Sequence, residues 1–142
     1  MDYRRFRISR FWSHLISMPF IWAPLVAVLF LDFMTSLYQF ICFPLYKLEK
    51  VKRREYILIN DRARLDYLNL PEKLSCMYCG YVNGFLLYAK EIAGRTEKYW
   101  CGIMHDEKHG FKPHVDQAER DFSRFGDKED FYRKYGDNQE NH

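Results

Sequence analysis

C-M-Y-C-G-Y, residues Cys76 to Tyr81, and C-G-I-M-H, residues Cys101 to His105, together give the spacing C-x2-C-x21-C-x3-H. Two thiolates separated by two residues in a tight turn can share one ion, and Gly80 after the second supplies permissive backbone. Three cysteines and one histidine form a common closed ligand set for structural zinc. The expected ligands are Cys76, Cys79, Cys101 and His105, with His109 and His114 competing for the fourth position. Iron or an iron–sulfur cluster is the alternative cofactor, because clusters accept mixed cysteine and histidine ligation. A disulfide from Cys101 to Cys76 or Cys79 is the alternative in an oxidising compartment. Between the pairs, Asn83 to Trp100 has helical spacing: Phe85, Tyr88, Ile92 and Tyr99 supply an apolar face, and Glu91 and Arg95 stand in favourable i, i+4 order.

Upstream lies a second decisive stretch. From Phe11 to Tyr46 there is no Lys, Arg or Glu, and Asp32 is the only formal charge. The run is too long and bulky for a signal peptide, whose apolar region spans about 7–15 residues and ends at a small-residue cleavage site. A retained membrane anchor is expected. One crossing over about Pro24 to Phe43 meets the roughly 20-residue requirement, and two crossings do not fit. Pro19 and Pro24 are expected to break the entry, with Pro24 in a first helical turn. An in-plane or re-entrant segment remains open for two reasons. Asp32, Thr35, Ser36 and Gln39 recur at i, i+3, i+4 and i+7 as one polar stripe. Both flanks are also basic: Arg4, Arg5, Arg7 and Arg10 before the run, and Lys47, Lys50, Lys52, Arg53 and Arg54 after it. The positive-inside rule then gives no preference for opposite sides. An acid near mid-membrane is costly unless paired, so the stripe is expected to meet a membrane protein partner or lie at the interface. Cys42, within the run, reads as a small buried residue.

Charge divides along the chain. The whole chain carries 22 Lys/Arg and 19 Asp/Glu; residues 1–54 hold nine against three, leaving thirteen against sixteen in 55–142. The basic part flanks the apolar run, as contact with anionic membrane lipids requires. The acidic remainder argues against nucleic acid, which needs a basic face. A soluble part of about 80 residues buries a limited core, which favours a stabilising metal.

The connecting sequence is read as a helical continuation over Lys47–Arg54, a short β-type run Tyr56–Ile59 stopped by Asn60-Asp61, and a new helix start at Pro71. In the tail, periodic aromatics predict two short helices separated at Gly126, with Asp127 as N-cap. The organisation is mainly α: a membrane anchor over 1–54, a metal-binding domain over 55–115 and a charged aromatic tail over 116–142.

The hexapeptide C-M-Y-C-G-Y resembles the knuckle of rubredoxins and zinc ribbons, but rubredoxin's second C-x2-C is missing. A longer resemblance covers about 40 residues: Tyr67-Leu68-Asn69, C-M-Y-C-G-Y-V-N-G, Y-A-K-E-I-A-G-R-T-E and Y-W-C-G-I-M-H. It is similar to a family of small, uncharacterised bacterial membrane-associated proteins. It implies a bacterial source and carries no activity with it.

No H-E-x-x-H, nucleophile elbow, P-loop or dinucleotide fingerprint occurs. The expectation is a non-enzymatic accessory or assembly subunit at a bacterial inner membrane, with a cytoplasmic zinc domain. A small metalloenzyme or iron redox protein at the membrane is the alternative.

Overall fold

The computed structural model describes residues 11–61, 64–66, 68, 70–106 and 119–136, with side chains from Leu15 onward. Among these residues four helices follow in order: α1 (Phe11–Leu45), the single turn α2 (Arg53–Tyr56), α3 (Leu70–Trp100) and α4 (Lys128–Tyr135). Among the described residues there is no strand, only an isolated bridge between Ile103 and Ser123.

α1 runs unbroken through Pro19 and Pro24, where an interruption was expected. Each proline removes one N–H and leaves the carbonyl four residues earlier without its helical donor. At this end of α1 the Tyr78 hydroxyl donates to the Ile21 carbonyl at 2.5 Å, and the Tyr78 ring lies 5.0 Å from that of Trp22, tilted by 40°. Past Leu45 the chain reverses at Lys47, whose φ of 54° lies in the left-handed region that non-glycine residues seldom adopt. Leu48 donates back to the Phe43 carbonyl at 2.9 Å. The expected helical continuation after Lys47 is therefore a reversal, with only Arg53–Tyr56 helical. The expected β-type run beyond it is extended at Ile57 but pairs with no strand.

From this turn a strap, residues 46–60, returns along α1 and is held between α1 and α3. Val51 meets Gln39, Arg53 meets Asp32, and the backbone of Tyr56 to Ile59 lies against Gly84 and Gly80. α3 then starts beside the earlier part of α1 and runs parallel to it. Tyr78 is level with Ile21, Tyr88 with Gln39, and Tyr99 stacks on Tyr46 at 4.8 Å. Where the chain needs two helices to lie parallel, a return connection must cover their full length. The strap is that connection.

The core is small and lies where all three layers meet: Phe43 from α1, Val51 from the strap, and Phe85, Tyr88 and Ile92 from α3. Val28, Tyr56 and Ile57 pack around it. It draws on residues from both sides of the expected boundary at 54/55. The predicted start near Pro71 and the Glu91–Arg95 pair are present, the latter at 2.8 Å.

α4 has the predicted N-cap: the Asp127 side chain accepts from the Asp130 amide at 2.9 Å, after Gly126 at φ 72°. The other expected tail helix is absent around Phe122 and Phe125: residues 120–125 run through turns and the Ser123 bridge, with Asp121 at a left-handed φ of 57°, and the segment before residue 119 lies outside the described residues. Asp130 is buried and accepts from the Arg124 amide at 3.0 Å, with Lys134 at 3.2 Å and Arg133 also bound. These contacts close α4 onto residues 121–124. The tail reaches α3 through Arg120, which pairs with Glu91, and through Ser123, whose amide donates to the Gly102 carbonyl at 2.7 Å.

Candidate functional site: an apolar helix face over a buried polar seam

α1 is long and apolar enough to cross a membrane over Leu15–Leu45, yet almost none of that segment is buried in the protein. Its two faces differ sharply. Asp32, Gln39 and Phe43 face inward and are buried. On the opposite side Val26, Phe30, Phe33, Leu37, Phe40 and Ile41 recur at helical spacing and stand between two fifths and three quarters exposed. Soluble monomers rarely expose so continuous an apolar face. Taking about 1–2 kcal/mol for each such partly exposed side chain, removing these six from water is worth on the order of 10 kcal/mol.

The inward stripe is polar because of what it must hold. Asp32 receives both guanidinium nitrogens of Arg53, one at 2.6 Å, and the Tyr81 hydroxyl at 2.6 Å. Ser36 adds a weaker contact at 3.4 Å. This converts the costly lone acid into a carboxylate with donors on both oxygens, which a buried charge requires. Gln39 does the same for backbone. Its Oε1 accepts from the Val51 amide at 2.9 Å, and its Nε2 donates to the Val51 carbonyl at 3.3 Å and the Tyr88 hydroxyl at 3.1 Å. A strap that pairs with no strand leaves its amides and carbonyls needing partners, and one side-chain amide satisfies both groups of Val51. Of the four stripe residues expected to meet another subunit, Asp32, Ser36 and Gln39 are engaged within the chain. Thr35 is half-buried and lines a groove of about 660 Å³ between α1 and α3. Met34, Tyr38, Ala93 and Trp100 also line this groove, and no strap residue does.

A second polar cluster lies on the strap side of α3. Glu91 accepts from Arg95 at 2.8 Å and also from Arg120, while Arg95 donates to the Glu49 carbonyl at 2.6 Å. Burial raises the Glu91 pKa, but the hydrogen bonds and charges of Arg95 and Arg120 outweigh it and hold the carboxyl below its ordinary range. This cluster ties α3, the strap and the tail together.

The four expected metal ligands lie apart. The predicted knuckle at Cys76–Gly80 is not a turn but part of α3, which continues to Trp100. At 1.5 Å per residue the 22 positions from Cys79 to Cys101 span about 33 Å, so the cysteine pair and Cys101 sit at opposite ends of a rod. Cys76 is half-buried, Cys79 and Cys101 are exposed, and all three are free thiols. His105 stands 3.7 Å from the Glu97 carboxylate. His109 and His114 fall outside the described residues. Among the described residues no three His, Cys, Asp or Glu side chains are grouped to hold a metal ion.

Arg53 and Tyr81, which complete the Asp32 site, were not expected from the sequence. The signal was present, since a lone acid in an apolar run demands a donor, but its partner's position depends on the strap folding back. Compared with known protein families, curated proteins and solved structures, the chain matches none.

Proposed function

We propose that this protein is a monotopic membrane protein whose α1 lies along the bilayer surface, and that it serves as a non-enzymatic accessory or interaction subunit there. One observation carries the reading: the polar stripe of α1 is consumed by the chain's own strap and α3, while the rest of the helix is apolar and uncovered. Upright insertion fits this arrangement poorly. From Ile21 to Tyr46 α1 is accompanied by the strap or α3, which carry Glu49, Lys50, Lys52, Arg54, Glu55, Lys90, Glu91 and Arg95. A perpendicular α1 would draw many of these charges into hydrocarbon, at several kcal/mol each by most estimates. Its 31-residue apolar segment is also about 46 Å long, against about 30 Å of hydrocarbon. Lying flat, α1 buries its apolar face at the acyl boundary and leaves the charged layers in water. Basic flanks on both ends then fall on one side of the membrane, which by the positive-inside rule is the cytoplasmic side of a bacterial inner membrane.

Zinc is not needed for this reading. A site using Cys101 and His105 would take its remaining ligands from outside the described residues or from a second chain.

Topology decides between the orientations. In a background lacking the native cysteines, single cysteines at Ser17 and at Cys101 report the two ends of the α1–α3 pair. Labelling of both by an impermeant maleimide from the same side of sealed vesicles is the expected result. Labelling from opposite sides would refute the monotopic reading.

A further inference from the structure

The strap carries five cations between Lys47 and Arg54, and the structure separates them by task. Arg53 points inward and is committed to Asp32. Lys52 faces Glu55 at 3.7 Å, both side chains being well exposed. Lys47, Lys50 and Arg54 are exposed and meet no carboxylate among the described residues. Lys50 is positioned with particular clarity. Its ammonium stands 4.8 Å above the ring centroid of Phe40, a residue of the apolar α1 face that is itself 69% exposed. That charge therefore marks the border where the apolar face ends. Lys47 occupies the reversal immediately beyond exposed Leu45, at the end of the same face. Arg54 follows Arg53 in α2.

We propose that Lys47, Lys50 and Arg54 form an edge that binds the headgroups of anionic phospholipids. The inference rests on the monotopic reading and adds which cations of the basic flank meet the anionic headgroups. With α1 in the acyl boundary, a cation over the rim of its apolar face sits at phosphate depth, and a long Lys or Arg stem reaches it while lying on apolar surface. An anionic headgroup leaves its phosphate charge uncompensated, whereas a zwitterionic one carries its own ammonium, so unpaired protein cations distinguish the two. Glu49 is the one acid in this stretch of sequence, and the excess stays positive.

The test uses the full chain, partitioned from detergent into vesicles of phosphatidylcholine alone or mixed with phosphatidylglycerol, and read by flotation. Each cation near an anionic surface strengthens partitioning about five-fold. A Lys47→Gln/Lys50→Gln/Arg54→Gln variant is expected to lose on the order of a hundred-fold in affinity for the phosphatidylglycerol vesicles, keep its affinity for phosphatidylcholine, and keep wild-type helical circular dichroism. The wild-type preference should shrink as salt is added. A triple variant that retains the preference, or a wild type that partitions equally into both vesicles, overturns the inference while leaving the monotopic reading standing. Wild-type protein that floats with neither vesicle overturns both. Inorganic phosphate that displaces the protein more than chloride at equal ionic strength would identify a free-phosphate site, and would also overturn it.

Discussion

Gly84 provides the most direct test of the three-layer packing. It is buried in α3 under the strap, and a Cβ built there would lie 2.5 Å from the Tyr56 carbonyl oxygen, 2.8 Å from the Ile57 Cα and 3.2 Å from the Tyr56 carbonyl carbon. All three are backbone atoms, so no rotamer change relieves the clash. Reaching ordinary contact at about 3.4 Å requires the strap to move by roughly 1 Å, which pulls on Val51 and the Gln39 amide bonds. Overpacking of this kind costs typically 1–3 kcal/mol. Alanine is also the better helix former by about 1 kcal/mol, which opposes the clash. Gly94→Ala calibrates that gain in the same helix, because its Cβ would meet only the flexible end of Arg120 at 3.3 Å. Gly84→Ala is therefore expected to melt below Gly94→Ala, with a difference of about 1–3 kcal/mol. For a chain of this size that corresponds to roughly 3–12 °C in Tm, followed by circular dichroism in mild detergent. Equal or higher stability of Gly84→Ala would show that the strap does not lie on α3, and the monotopic reading would lose its covering layer.

Removing one partner of the Asp32 site should hurt more than removing both. Arg53→Met leaves a buried carboxylate unpaired and should lower stability by about 1–3 kcal/mol, discounted because the Arg53 side chain is 43% exposed. Adding Asp32→Leu to it should restore most of the loss in the same melts, and failure to do so would mean that Asp32 has a role beyond its pairing. Glu91 links three segments with a pKa held below its ordinary value of 4.5, so its contribution is present at neutral pH and lost as pH falls below about 4.5 through its folded-state value. A Glu91→Gln chain should accordingly be less stable than wild type at pH 7, with the gap closing in acid; a constant gap from pH 7 to pH 3 contradicts the ionic account. Cys79→Ser changes an exposed helical position and should leave helicity and Tm within about 0.5 kcal/mol of wild type. Loss of folding together with stoichiometric zinc, measured by elemental analysis, would instead restore the knuckle.

Local pattern was readable where one residue's neighbours decide its state. The apolar run had to be a helix, because backbone in apolar surroundings must satisfy itself, and α1 is a helix long and apolar enough to cross a membrane. The Glu91–Arg95 pair and the Asp127 cap rest on contacts within one turn, and both are present. The cysteine spacing misled because C-x2-C fits a tight turn and a helix equally well; Tyr78, Tyr81, Phe85 and Tyr88 supply a side that α1 and the strap cover, and that burial carries the helix through Gly80 and Gly84. The polar stripe was legible as a stripe, but its partners were not. Arg53, Tyr81 and Val51 reach Asp32 and Gln39 only because the chain reverses at Lys47 and packs its backbone on two glycines. Sequence alone thus determined the long apolar helix, the helix over Asn83 to Trp100 and the short helix capped by Asp127, since those follow from short-range periodicity and transfer energy. The tertiary structure alone decided that the acid of the apolar run is paired within the chain and that the cysteine pair lies a helix length from Cys101, because both depend on contacts between residues far apart in the chain.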